Sequence, residues 1–167
     1  TIEDIKEGDA ISATFLGETL EKIEVLPTLY GEITAVNTAD KSFTLRLADG
    51  RSQSFVLTAD SKIYDGERST GNISALKSGQ SVFVQQQTRG IRVTILNRIE
   101  AKFNAYYNNG VLSFYRGNDP SAFNNYRVAD NVFVHSRGSA ISLNSFRQGD
   151  DIVIYEVNKT VYAIERK

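Results

Sequence analysis

Residues 72–82 read NISALKSGQSV, and this stretch decides the fold because the chain repeats its plan at 1–11 (TIEDIKEGDAI) and 142–152 (SLNSFRQGDDI). Each copy contains a helix-capping residue, two apolar residues three positions apart, a base, a glycine and a β-branched residue. The copies recur about every 70 residues, and self-similarity at such a spacing indicates a repeat protein. A unit used several times is more often a building block than a catalyst, so the repetition favours a structural role.

The repeated segment has the pattern of a single helical turn. Its first residue is of the type that accepts a hydrogen bond from an N–H of the first turn: Thr1, Asn72 and Ser142. Apolar residues one turn apart then point to the same side: Ile2 with Ile5, Ile73 with Leu76, and Leu143 with Phe146. We expect each apolar pair to plug one end of a small β-barrel.

A base and a glycine end each copy. The base is placed to complement the dipole of the last turn: Lys6, Lys77 and Arg147. The glycine stands where the chain must become left-handed to leave the helix: Gly8, Gly79 and Gly149. A sequence typical of a β-strand follows each copy (AISATF, SVFVQQ and DIVIYEV), so we expect the helical turn to lead into a strand.

Almost all of the remaining chain has sequence patterns typical of β-strands, separated by residues that favour turns. SFTLRL at 42–47 alternates as a half-buried strand should, and Asp49-Gly50 is a hairpin signal. The sequence therefore predicts an all-β fold of tandem small β-barrels, each of about 70 residues and capped by a one-turn helix. The predicted organisation is a partial repeat at 1–27 with a helical turn and two strands, then barrels at 28–98 and 99–167.

The partial repeat at 1–27 lacks the front strands of its own barrel. Its strand edges should be open, and open edges recruit partners. We expect this segment to pair with the middle unit or to mediate self-association. Because the chain lacks an initiator Met and begins on a helix cap, we interpret it as a processed or excised piece of a longer protein.

The composition of the chain restricts the classes of molecule that it is expected to bind. A formal net charge of −1 argues against a general surface for nucleic acid, and the local run of Arg89, Arg92, Arg98 and Lys102 fits salt-bridged surface cations. The chain has no Cys, which excludes disulfides and thiolate metal sites. No apolar run approaches the length that spans a membrane, so we predict no membrane span.

Three segments of the middle unit carry a resemblance to a known family: Gly31–Val36, Phe43–Gly50 and Leu76–Val84. Together they resemble β-barrel repeats of uncharacterised function in exported, cell-wall or S-layer-associated proteins of Gram-positive bacteria. The resemblance implies an extracellular, cell-surface location, with neighbouring repeats or copies of the same protein as partners, and it brings no catalytic residue. The last unit departs from it, because it lacks counterparts of Gly31 and of the Asp49-Gly50 hairpin.

Signals of catalysis are weak. His135 is the single histidine, it follows an alternating run near a strand end, and we interpret it as a surface or turn residue. The recurring Asp60 and Asp130 suit turn positions better than cation ligation, because no loop has the oxygen density that Ca²⁺ needs. Nucleotide-binding glycine motifs are missing from the sequence. We therefore predict no enzyme activity, no catalytic or metal site, and no cofactor.

The segment 103–127 is the candidate binding site. It interleaves aromatic residues with asparagines, and the five residues that we predict to bind a neutral glycan are Tyr106, Tyr107, Tyr115, Arg116 and Tyr126. Tyrosine offers a sugar both an apolar face and a polar tip. The alternative is that these rings fill the barrel while asparagines occupy turns.

Three functions stay open. The first is a non-catalytic structural or spacer repeat of a bacterial cell-surface, S-layer-type protein. The second is a module that binds cell-wall or capsular glycan through 103–127. The third is an accessory domain of a larger exported enzyme.

Overall fold

The computed structural model describes residue 5 and residues 11–26 and 28–167. The first copy of the repeated segment, at 1–11, therefore lies outside the described residues except for Ile5 and Ile11. The described chain is all-β, which confirms the predicted class. Its early strands are β1 (Ile11–Leu16), β2 (Thr19–Val25), β3 (Thr28–Asn37), β4 (Ser42–Leu47), β5 (Ser52–Val56), β6 (Lys62–Asp65), β7 (Arg68–Thr70), β8 (Ser81–Gln86) and β9 (Ile91–Ile95). The later strands are β10 (Asn97–Tyr107), β11 (Val111–Tyr115), β12 (Phe123–Ser136), β13 (Ser139–Ala140), β14 (Asp151–Val157) and β15 (Thr160–Arg166).

The chain divides into two compact units. The first unit comprises Thr1–Leu47 with Ser52–Ile95, and the second comprises Ala48–Arg51 with Leu96–Lys167. The predicted boundaries after residues 27 and 98 stay predictions. Within the first unit, β1 pairs with β2, and a separate seven-stranded sheet runs in the order β5-β4-β3-β8-β9-β6-β7.

The second unit contains a closed five-stranded barrel. Its sheet runs in the order β11-β10-β14-β15-β12, and β12 also pairs with β11, which closes the cylinder. The long strand β12 makes this possible, because its first half pairs antiparallel with β11 and its second half pairs parallel with β15. Closure of this kind removes the open edges that a flat sheet would expose.

Equivalent hydrogen bonds recur in the two units at a shift of 70 residues. The amide of Gly79 donates to the carbonyl of Ile33 at 2.8 Å, and the amide of Gly149 donates to the carbonyl of Phe103 at 2.8 Å. The return bonds also match: Ile33 N donates to Gln80 O and Phe103 N donates to Asp150 O, both at 2.9 Å. The sequence repeat is therefore a repeat of backbone pairing as well.

The second and third copies of the repeated segment form 3₁₀ turns at Ile73–Ala75 and Leu143–Ser145. The predicted caps are confirmed: Asn72 Oδ1 accepts from the Ser74 amide at 3.0 Å, and Ser142 Oγ accepts from the Asn144 amide at 3.2 Å. The glycines that follow, Gly79 and Gly149, have φ of 87° and 93°.

The predicted dipole role of the base is wrong for Lys77 and Arg147. Each 3₁₀ turn ends before the base, because its C-terminal cap, Leu76 or Phe146, already has extended backbone angles. No basic residue stands in the last turn of either one. Lys77 and Arg147 instead donate their amides to the side chains of Gln80 and Asp150 in the turn that follows.

Each unit has its own apolar core. The core of the first unit includes Ile73 and Leu76, which are 6% and 3% exposed. In the second unit, Phe146 packs in the core and Leu143 packs against it. In the second and third copies, the apolar pairs therefore face the core of their own unit; that they plug the end of a barrel stays a prediction.

Candidate functional site

The aromatic and asparagine-rich segment 103–127 forms three neighbouring strands of the barrel. Phe103 in β10 lies opposite Phe114 in β11, and Phe114 lies opposite Asn124 in β12. The next row places Lys102, Tyr115 and Phe123 side by side. Because side chains alternate along a strand, one half of this segment faces the core and the other half faces outward.

Tyr106 and Tyr126 pack against the core. Phe114 is fully buried, and its ring meets Tyr126 edge to face with the centroids 4.9 Å apart. Tyr106 and Tyr126 are both half-buried against the second core. Two of the five predicted binding residues therefore use most of their ring surface for packing.

Tyr115 is also largely inaccessible, with 7% of its surface exposed. Its hydroxyl lies beside Gly149, in the loop that follows the second 3₁₀ turn. Next to it, Gln148 Nε2 donates to Asn104 Oδ1 at 2.9 Å, and Asn104 Nδ2 donates to Ser113 Oγ at 3.0 Å. The amide of Asn104 thus joins the loop to the sheet, a structural role that sequence reasoning did not assign to it.

Four accessible residues of the segment lie on one side of the sheet and form what we call the outer aromatic face, defined as Tyr107, Phe123, Asn125 and Arg127. Tyr107 is 46% exposed and Phe123 is 52% exposed. Asn125 and Arg127 are exposed and alternate with the inward-facing Tyr126, so they share the side of β12 that carries Phe123. Arg116 is exposed in the loop after β11.

The outer aromatic face has a definite length. Tyr107 lies opposite Val111 and Val111 lies opposite Arg127, so this row stands four residues along β12 from Phe123. At about 3.3 Å per residue, the two aromatic residues are separated by roughly 13 Å along the strand. The five predicted binding residues included Tyr107 but not Phe123 or Arg127. Phe123, Asn125 and Arg127 follow one another at intervals of two residues, which is the spacing of one strand face and was a usable signal.

The basic residues at 92–102 have partners on their own surface. Arg98 forms an ion pair with Glu100 at 2.8 Å, and Lys102 forms one with Asp151 at 2.9 Å. Hydrogen bonding to Asp151 raises the pKa of Lys102, and hydrogen bonding to Lys102 lowers the pKa of Asp151. Arg92 stacks over the ring of Tyr64 at 4.1 Å. Arg98 and Lys102 are thus salt-bridged at the surface, as predicted, whereas Arg92 packs over an aromatic ring.

His135 is buried, which corrects its interpretation as a surface or turn residue. It lies inside β12, is 6% exposed, and has its ring 5.2 Å from that of Phe133. The alternating run before His135 indicated a strand, but alternation alone does not show which set of side chains faces the core. Burial lowers the pKa of His135, and the charge of Glu165 opposes that shift.

Acidification below about pH 6.5 is expected to destabilise the second unit, because the unfolded His135 binds a proton more readily than the buried one. The stability that this histidine contributes is present above its unfolded pKa and is lost as pH falls through the lowered folded pKa. His135→Gln should flatten this dependence between pH 7 and 5. Urea unfolding at several pH values, followed by NMR signals of β14, measures it; an unchanged slope in the variant would contradict the assignment.

A pocket in the first unit is lined by Ile11, Leu26, Asp60, Gln87, Thr88 and Arg89. It contains one carboxylate and one guanidinium. Over the part of the chain that the structure describes, no three His, Asp or Glu side chains gather where they could hold a metal ion.

Comparisons with known proteins give no family. No protein-family model matches the chain, and no curated protein matches it significantly. Among the described residues, no helix has both the length and the apolar character needed to cross a membrane.

Proposed function

We propose that this chain is a non-catalytic structural repeat region that acts as a spacer in a bacterial cell-surface, S-layer-type protein. The observation that carries the proposal is the recurrence of the same backbone hydrogen bonds at Gly79 and Gly149, each in a unit with its own apolar core. A fold that is repeated with its own core can be lengthened by adding copies, and the length then follows copy number.

The proposal includes a barrel of about 70 residues in the first unit as well. There, β5 pairs with β4 and β6 pairs parallel with β9, as the two halves of β12 pair with β11 and β15. Residues 57–61 separate β5 from β6, where β12 runs on without a break. We infer that these residues turn the corner of a split barrel, and that the two 3₁₀ turns cap their barrels.

The cell-surface location and the partners rest on the sequence resemblance carried by Gly31–Val36, Phe43–Gly50 and Leu76–Val84. On that basis the partners are neighbouring repeats or further copies of the same protein. The proposed location is extracellular.

Stretching single molecules from their two ends tests the spacer role. We expect two separate unfolding events, each releasing about 70 residues, which corresponds to roughly 230–250 Å of extended chain at about 3.3–3.6 Å per residue. Separate steps are expected because each unit has its own core. A single step that releases the whole chain, or extension without a resisting force, would count against a spacer built from independent units.

Glycan binding is the second candidate, and exposure of Tyr107 and Phe123 beside Asn125 and Arg127 favours it. Aromatic rings that stay accessible on a sheet face offer stacking surfaces, and the amide and guanidinium offer hydrogen bonds. The separation of the rings along β12 suits an extended ligand more than a single sugar.

A binding variant for this candidate must avoid the buried Tyr115. If the outer aromatic face binds cell-wall glycan, Tyr107→Ala with Phe123→Ala should weaken retention on glycan affinity gels at least about tenfold, a loss of about 1.4 kcal/mol. Val56→Ala is the matched control, since it removes an equally exposed apolar side chain, 60% accessible, from the first unit. Equal retention of the double variant and the control would remove this face as the site.

A further inference from the structure

The hairpin of β1 and β2 has the same pairing as the hairpin of β14 and β15. Ile11 pairs with Val25 and Ile152 pairs with Arg166; the last pairs are Leu16 with Thr19 and Val157 with Thr160. Every pair is reproduced at a shift of 141 residues (Ile11 to Ile152, Val25 to Arg166), and the register slips at the same place, after Thr14 and after Tyr155. The first hairpin is therefore the closing hairpin of a further repeat.

One face of the first hairpin is apolar and exposed. Cross-strand pairing and alternation place six residues on this face: Ile11, Ala13, Phe15, Leu20, Ile23 and Val25. Phe15 is 60% exposed, while Ile11 and Leu20 are 46% and 44% exposed. The opposite face is polar apart from Leu16 at its tip, and it includes an ion pair between Lys22 and Glu24.

The equivalent face of the second unit is core at four of its six positions, those that match Ile11, Ala13, Leu20 and Ile23. The positions that match Phe15 and Val25 hold Glu156 and Arg166. The counterparts of Ile11 and Leu20 are Ile152 and Val161, and both have no exposed surface. They are covered by the rest of the barrel, in which β10 runs antiparallel beside β14 and β12 runs parallel beside β15. Among the described residues, β1 and β2 pair only with each other, so both outer edges of this hairpin lack the neighbours that its counterpart has.

We propose that the apolar face and outer edges of the β1–β2 hairpin bind a three-stranded β-meander built on the plan of β10, β11 and β12. One strand of this partner runs antiparallel beside β1, and another runs parallel beside β2. The aliphatic side chains of Ile11, Leu20 and Ile23 then enter a core, as their counterparts do in the second unit. A two-stranded hairpin is marginal alone in water, whereas added strands over an apolar face stabilise it.

A folded second copy of this chain does not fit the role. Its strand β3 already pairs with both β4 and β8, and its strand β10 already pairs with both β11 and β14. Neither strand is available without opening a sheet. The inference rests on hairpin geometry and exposure, so it stands or fails independently of the mechanical role tested by stretching.

A fusion tests the proposal on the full chain. Residues 28–71 precede Asn72 in the middle unit, so a second copy of 28–71 placed directly before Thr1 supplies the missing meander in register. We expect the amides of β1 and β2 to exchange with deuterium at least about tenfold more slowly than in the unfused chain, because they move from an open hairpin into a closed sheet.

Two matched changes make the result specific. Leu45→Asp in the added copy alone should abolish the protection, since Leu45 is fully buried in the first core. Within the hairpin of the fused chain, Leu20→Ser on the apolar face should reduce the protection, because the counterpart of Leu20 is the fully buried Val161, and Lys22→Ser on the polar face should leave it. Unchanged exchange in the fusion would overturn the proposal. Concentration-dependent dimers of the unfused chain with protected hairpin amides would overturn it too, in favour of a second copy as the partner.

Discussion

Phe114→Ala is expected to destabilise the second unit by about 3–5 kcal/mol, the usual cost of removing a buried phenylalanine ring. The ring is fully buried, lies opposite Phe103, and contacts Tyr126 edge to face. Alanine would leave a cavity in the middle of the barrel and remove the aromatic contact as well. Urea unfolding followed by NMR signals of β14 measures the loss within this unit.

Phe123→Ala is the matched control for Phe114→Ala. Both residues belong to the aromatic segment and stand in neighbouring rows of the same sheet, but Phe123 is 52% exposed. Substitutions at such exposed positions change the free energy of unfolding by about 0.5 kcal/mol or less. Comparable losses in the two variants would mean that the inward and outward rows are assigned to the wrong faces.

Gly31→Ala is expected to destabilise the first unit by about 1–3 kcal/mol. A Cβ at this position would overlap the backbone oxygen of Arg46 and come within 2.9 Å of Leu45 Cγ. Because backbone of a paired strand cannot yield as a flexible side chain does, β3 and β4 would have to separate locally. Thermal unfolding followed at the amides of β8 measures the effect.

Gly71→Ala provides the control for Gly31→Ala. A Cβ at Gly71 would meet its nearest atom, the oxygen of Ser61, at 3.7 Å, which is ordinary contact. This variant should be neutral or stabilising by up to about 1 kcal/mol, because alanine restricts the unfolded chain more than glycine does. If both glycine variants lose the same stability, close strand approach is not the reason for Gly31.

Ala101 shows why one glycine of the repeat is not needed in the second unit. It occupies the position of Gly31, opposite Ile152 where Gly31 is opposite Val82. In the first unit, β4 runs on to pair Leu47 with Gly31, whereas β11 ends at Tyr115, opposite Lys102. The missing facing residue leaves room for a Cβ. The departure is visible in the sequence, but its cause depends on where a distant strand ends.

The candidate site was predictable only in part. Composition and spacing directed attention to 103–127, because aromatic and amide residues are concentrated there. They could not separate Tyr107, which is exposed, from Tyr115, which is covered by the loop at Gln148 and Gly149. The covering residues lie more than thirty positions away along the chain, so the local pattern of alternation cannot predict that Tyr115 is buried.

The sequence by itself determined the all-β class, the helix caps at Asn72 and Ser142, and the left-handed glycines at 79 and 149. These features depend on hydrogen bonds and backbone angles within a few residues, so the local sequence is enough to specify them. The tertiary structure alone decided that β12 closes a barrel, that His135 is buried, and that the β1–β2 hairpin exposes a face which is largely core in the second unit. Each of these depends on strands that meet from distant parts of the chain, and strand pairing over such separations is set by the packing of the whole unit.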